Sequence, residues 1–151
     1  MRLWLVLLLA VACSAPAVVA SPSPAASCAP TAGRSPARVV VPSPRAKMGE
    51  GFRVSGVVRA QDCRPLAGAR VYAWLANPEG VYDAAHEGGV TTDAQGRYSF
   101  ESSFPGIYGG ASPHIHLQVQ ADGHEPLELE ILPRPGDTTA TQDLVLRRSG
   151  G

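Results

Sequence analysis

From Phe52 onward apolar side chains recur at every second position, and the stretches between them are rich in Gly, Pro, Asp and Asn. A period of two places alternate residues on opposite faces of a pleated strand, whereas an amphipathic helix needs a period near 3.6. The pattern predicts strands at 53–59, 69–75, 97–101, 114–120, 127–132 and 142–147 and leaves no place for a helix. In "ARVYAWL", Val71, Ala73 and Leu75 share one face while Tyr72 and Trp74 share the other, so this strand is expected to be covered on both sides. "TDAQGRYSF" reads as a turn at 93–96 leading into a strand. Segments this short and this regularly punctuated predict an all-β, antiparallel sandwich of about six to eight strands.

The N-terminal third has a different texture. Met1 and Arg2 give a short positive start, residues 3–12 are uninterruptedly apolar, and small residues follow, which is the layout of a signal peptide over 1–20. The apolar run is too short for a comfortable membrane span. Two cleavage sites compete. "VVA" before Ser21 suits ordinary cleavage, while "AVAC" resembles a lipoprotein box that would leave Cys13 lipidated and anchor the chain to a membrane, with a signal of 1–12. Either way the protein is expected to be exported, whether extracellular, periplasmic or bound to the cell envelope. Residues 21–47, dominated by Pro, Ser and Ala, read as a solvated linker that cannot bury enough apolar surface to fold alone, and residues 48–151 as the single domain. Cys28 and Cys63 remain as an even pair, either bridged in an oxidising compartment or left as free thiols. Thirteen basic residues balance thirteen acidic ones, which argues against nucleic acid as a partner. The sequence leaves the oligomeric state open.

Candidate chemistry concentrates in "PGIYGGASPHIHLQV". Ile115, Leu117 and Val119 form one face of the strand, so His114 and His116 project from the other. Residues two apart on a face lie about 6.5–7 Å apart along the strand, and rings leaning together can share one ion at about 2 Å. An H-x-H pair on a sheet is also compatible with two solvated or hydrogen-bonded histidines. His86 and His124 look like loop-tip residues, so the spacing does not single out a zinc held by three or four histidines. Tyr72 and Tyr98 lie within strands and read as packing; Tyr82 and Tyr108 lie in turns beside glycines, where functional groups are often displayed.

Taken together, "GVVRAQDCRPLAGARVYAWLANPEGVYD", "TTDAQGRYSFESSFPGIYGG" and "SPHIHLQV" resemble the intradiol ring-cleavage dioxygenases, in particular their small secreted members, over residues 51–119. The resemblance implies a β-sandwich holding one Fe(3+) through two tyrosines and two histidines: Tyr82 in "EGVYD", Tyr108 in "PGIYGG", and His114 with His116. It further implies a catecholic substrate and O2, cleavage of the ring between the two hydroxyls, and a catalytic part for whichever of Tyr82 and Tyr108 yields its place to substrate and takes up a proton. No organic cofactor is implied. The donor types suit the ion, because ferric iron favours anionic oxygen and accepts imidazole. A phenol with an ordinary pKa near 10 can lose its proton to a multiply charged cation.

One position departs from the pattern. Small members of the family carry an arginine three residues before the first histidine, and here Ala111 stands there. That opens the alternative of an inactive iron or catechol binder on the same scaffold. "PLAGARV" and "GRYSF" also resemble non-catalytic transthyretin-like interaction modules, which do not require the quartet Tyr82, Tyr108, His114 and His116.

Overall fold

A computed structural model describes residues 26–150, and the expected signal segment and Cys13 lie outside the described residues. Among the described residues nine strands form two sheets: β1 (Lys47–Met48), β2 (Phe52–Ala60), β3 (Arg70–Ala76), β4 (Tyr82–Thr91), β5 (Arg97–Ser102), β6 (Ile115–Gln120), β7 (Leu127–Ile131), β8 (Thr139–Thr141) and β9 (Leu144–Leu146). One sheet runs β1-β5-β2-β8, with β9 also on β2; the other runs β4-β3-β6-β7. The second sheet is antiparallel throughout, whereas β1 on β5 and both β8 and β9 on β2 are parallel pairings.

The inner faces hold the core. Phe52, Val54, Val58 and Phe100 from the first sheet meet Val71, Leu75, Ile115, Leu117 and Val119 from the second, all essentially without solvent exposure. These are the alternate positions that the period of two assigns to one face. At about 25 cal/mol per Å2 of buried apolar surface, each such side chain contributes roughly 1.5–3 kcal/mol before conformational entropy is subtracted. The expected 142–147 strand is β9, shortened to Leu144–Leu146, and the unexpected β8 precedes it; the two follow one another along β2, β8 on Arg53–Ser55 and β9 on Val58–Ala60. The strand β4 is an addition, because its sequence "YDAAHEGGVT" has few β-branched or aromatic residues. It forms an edge of the sheet and is exposed along most of its first half, so it needs little apolar surface of its own.

Residues 26–47 depart from the linker expectation, since they lie as a strap against the sandwich. Cys28 forms a disulfide with Cys63, and the Cys28 N–H donates to the Gln61 carbonyl at 2.8 Å. Arg34 pairs with the nearly buried Glu128. Further on, the Val40 N–H donates to Gln118 Oε1 at 2.7 Å, Gln118 Nε2 donates to the Arg38 carbonyl at 2.8 Å, and Gln120 Nε2 donates to the Val40 carbonyl at 2.6 Å. A segment of this composition cannot build a core, but it does not need one here. Its backbone groups are satisfied by two buried glutamines on the outer face of β6, and a covalent link fixes its start. Arg45 then donates from its N–H to the Gly89 carbonyl at 2.9 Å and from its guanidinium to the Ala84 carbonyl at 2.6 Å, tying the strap to β4.

Candidate metal centre

The outer face of the β4-β3-β6-β7 sheet carries the strap at one end and an open cavity of about 900 Å3 at the other. Strand β6 supplies the first part of the site. Because Ile115 and Leu117 face the core, His114 and His116 point outward on the opposite side, and their Nε2 atoms come within 3.1 Å of one another. Tyr82 opens β4, two strands away, and its hydroxyl oxygen lies 3.0 Å from His114 Nε2 and 3.2 Å from His116 Nε2. Tyr108 stands beside them, its ring centroid 4.8 Å from that of Tyr82 in an edge-on arrangement. The structure thus brings three of the four expected donors into one triangle and places the fourth in the same cavity.

Two backbone features position the phenols. Gly106 donates its N–H to the Asn77 carbonyl at 3.1 Å, and a Cβ at Gly106 would lie 2.4 Å from that oxygen and 2.6 Å from the Gly80 nitrogen. The loop that leads into Tyr82 at the start of β4 and the loop carrying Tyr108 can approach this closely only because the position has no side chain. Tyr108 is then presented by a tight turn closed by the Ala111 N–H on the Tyr108 carbonyl at 2.9 Å. Its central residues Gly109 and Gly110 have φ of 57° and 82°, which is type I′ backbone.

The hydrogen-bond roles around the triangle suit a cation. His114 Nδ1 donates to the Ser112 carbonyl at 2.8 Å, so its Nε2 carries a lone pair. His116 Nδ1 is buried with no hydrogen-bond partner, and lies 3.5 Å from the Glu130 carboxylate, the natural direction for its N–H. With that proton on Nδ1, both Nε2 atoms face each other as acceptors and Tyr82 has one proton to offer two nitrogens. A circle through three atoms at these separations has a radius of about 1.8 Å, so a single point can lie about 2 Å from all three, an ordinary metal–nitrogen or metal–oxygen bond length. An imidazole whose other nitrogen donates to a carbonyl, as in His114, is a usual arrangement around a metal. The residues present therefore fit an ion.

Electrostatics agree with that fit. Burial, reinforced by any charge on His114, lowers the His116 pKa and keeps the ring neutral, as a ligand must be. Burial, followed by Glu130 and Tyr108, raises the Tyr82 pKa, so the phenol keeps its proton until a cation draws it off. Among the described residues no group of three or more His, Cys, Asp or Glu side chains could hold a metal ion, so a centre here depends on phenol oxygens. His86 lines the cavity, but it belongs to β4 rather than a loop tip and pairs with Asp83 at 2.8 Å. His124 lies apart, its Nδ1 donating to the Asp122 carbonyl at 2.9 Å.

Sequence reasoning missed three neighbours. Glu130 lies in the strand expected at 127–132, and the register sets it directly opposite His116. Trp74 stacks on His116 at 4.6 Å with 6° between the rings, and Tyr72 stacks on Trp74 at 5.0 Å. The alternation marks these side chains as outward-facing, but which of them meet depends on cross-strand pairing that no single segment encodes.

A two-sheet β-sandwich that gathers phenols and imidazoles in an open cavity defines a candidate non-haem metalloprotein. A family model described as Dioxygenase matches residues 25–146, most of the chain, and the protein belongs to this intradiol dioxygenase family. Chlorocatechol 1,2-dioxygenase of Pseudomonas sp. (strain P51) is 28% identical over 110 residues, which are 56% of this chain and 44% of that protein. Hydroxyquinol 1,2-dioxygenase of Rhizobium sp. (strain MTP-10005) is 32% identical over 124 residues, 64% of this chain and 42% of that protein. The chain thus spans less than half the length of these curated relatives. Among solved structures, the dioxygenase domain of a dioxygenase carbohydrate-binding protein fusion from Streptomyces sp. SirexAA-E superposes with a TM-score of 0.68 at 27% identity, covering 80% of this chain and 100% of that one.

Proposed function

We propose that the protein is an exported iron(III) dioxygenase that opens catechol-type rings between their two hydroxyls, with Tyr82, Tyr108, His114 and His116 as the ligands. The observation that carries this reading is the triangle of Tyr82 Oη, His114 Nε2 and His116 Nε2 at 3.0–3.2 Å, with Tyr108 beside it, in a chain of the intradiol family. Ferric iron held there supplies Lewis-acid activation and a template for a catechol and O2. The chain's own residues supply the rest. The Ser112 carbonyl fixes the His114 orientation, Trp74 buttresses His116, and a tyrosine displaced by substrate would accept a substrate hydroxyl proton. The pair Cys28–Cys63 and the signal-like pattern at 1–20 support export; ordinary cleavage and lipidation at Cys13 are distinguished by the mass of the mature protein.

Ala111 favours a second reading. It lines the cavity, and among the described residues no Lys or Arg does. Charge developing on a bound ring lacks a side-chain cation, whose loss is worth about two to three decades in rate. The same site would then be a slow enzyme or a binder that holds iron and catechol without turnover.

Protein loaded with Fe(3+) is expected to be coloured by tyrosinate-to-iron charge transfer, and anaerobic catechol should change the band. Tyr108→Phe should weaken it. A colourless iron-loaded protein refutes the metal reading. Oxygen uptake with formation of a ring-opened diacid separates the enzyme from the binder.

A further inference from the structure

The charge lining the cavity is one-sided. Asp83, Glu87 and Glu130 are carboxylates, and among the described residues no lining side chain is Lys or Arg. Asp83 is fully engaged, accepting from the Ala85 and His86 N–H groups, the His86 ring and Asn77 Nδ2. The other two are only half used. Glu87 Oε2 accepts the Tyr72 hydroxyl at 2.6 Å, and Glu130 Oε1 faces His116 Nδ1 at 3.5 Å. The second oxygen of each makes no hydrogen bond among the described residues.

These two carboxylates bracket one row across the sheet. Glu87 on β4 is paired with Trp74 on β3, Trp74 with His116 on β6, and His116 with Glu130 on β7. With strands about 4.8 Å apart, Glu87 stands two strands, about 10 Å, from the position of His116. That is the reach of a catechol whose ring hydroxyls lie at the triangle and whose substituent extends along the Trp74 side of the cavity.

Resting on the catechol reading above, we propose that Glu87, assisted by Glu130, selects catechols whose ring substituent carries a protonated amine and disfavours those carrying a carboxylate. A phenolate and a catecholate dianion would cancel the charge of a trivalent ion, so a remote substituent senses the carboxylates. In an open cavity each pair is weakened by solvent. The swing from an attracted ammonium to a repelled carboxylate nevertheless counts each carboxylate twice, for roughly a ten- to fiftyfold difference in affinity.

The test is calorimetric binding, without oxygen and at low salt, of three probes to the iron-loaded protein: aminoethyl-catechol, methylcatechol and dihydroxybenzoate. The amine is expected to bind tightest and the benzoate weakest. High salt should compress the spread, and Glu87→Gln, which keeps a partner for Tyr72, should narrow the amine-to-benzoate ratio severalfold. Equal or tighter binding of the benzoate overturns the proposal, as does a ratio unmoved by Glu87→Gln. Binding of all three without discrimination sinks the selectivity alone, whereas no binding of any probe removes the catechol reading and this inference with it.

Discussion

Gly106 offers a way to disturb the meeting of the two phenols without touching either. An alanine there places its Cβ 2.4 Å from the Asn77 carbonyl oxygen, 2.6 Å from the Gly80 nitrogen and 2.7 Å from the Pro78 carbonyl oxygen. All three obstacles are backbone atoms, so no side chain can swing aside, and relief requires the loops to part by roughly 1 Å. Parting them also stretches the hydrogen bond from the Gly106 N–H to Asn77. The hydrogen bond is worth about 1 kcal/mol and the overpacking about 1–3 kcal/mol, so Gly106→Ala should destabilise the fold by roughly 2–4 kcal/mol, a fall of about ten degrees in Tm. More tellingly, Tyr108 should move away from Tyr82, and the charge-transfer band of the iron-loaded variant should weaken at a temperature where the protein is still folded. Gly123→Ala is the matched control. Its φ of 73° brings backbone strain of about 1 kcal/mol, but nothing lies within 4 Å of the added carbon, and the site is untouched. If Gly106→Ala binds iron with the wild-type affinity and spectrum, the account of how the loops position the phenols is wrong.

Three further outcomes follow from the fold. Replacing Cys28 and Cys63 together by serine opens a covalent loop with a separation of 35 residues, for which loop-closure entropy gives about 3–4 kcal/mol, read from denaturant midpoints; an unchanged midpoint would mean the strap is held by its hydrogen bonds alone. Leu117→Ala, at a position with no solvent exposure, should cost about 2–5 kcal/mol in the same assay. At acid pH, the Asp93 carboxyl is held below its ordinary value by the Arg97 backbone N–H and then its side chain. A depressed folded-state pKa means its stabilising effect is present above the unfolded value and fades as pH falls through the folded one. Asp93→Asn should therefore flatten the loss of stability on acidification, and an identical acid profile would contradict the turn's proposed role.

The sequence made the inward-facing half of the fold legible and the outward-facing half only in part. β2, β3, β5, β6 and β7 follow from alternation because each must present aliphatic residues to one core, and that requirement is written locally. β4 escaped because an exposed edge strand needs no such face, and its Gly88 and Gly89 and its acidic residues read as loop. The strap escaped for the opposite reason: its composition forbids a core, but docking onto Gln118 and Gln120 makes use of polar groups belonging to another strand. Tyr82, Tyr108, His114 and His116 could be picked out by residue type and by family resemblance. Glu87, Glu130 and the Trp74 stack could not, since they become neighbours only through the registers of β4, β3, β6 and β7.

Strand β6 carries foundation and chemistry on consecutive residues: Ile115 and Leu117 inward, His116 outward. A slip of one residue against β3 would submerge the imidazoles and lift the aliphatic side chains into water. No partly correct pairing can hold the donor triangle, so on the proposed reading metal uptake by a refolding chain would double as a proofreader of strand alignment. Misaligned molecules would remain colourless in the presence of iron, reporting their own error.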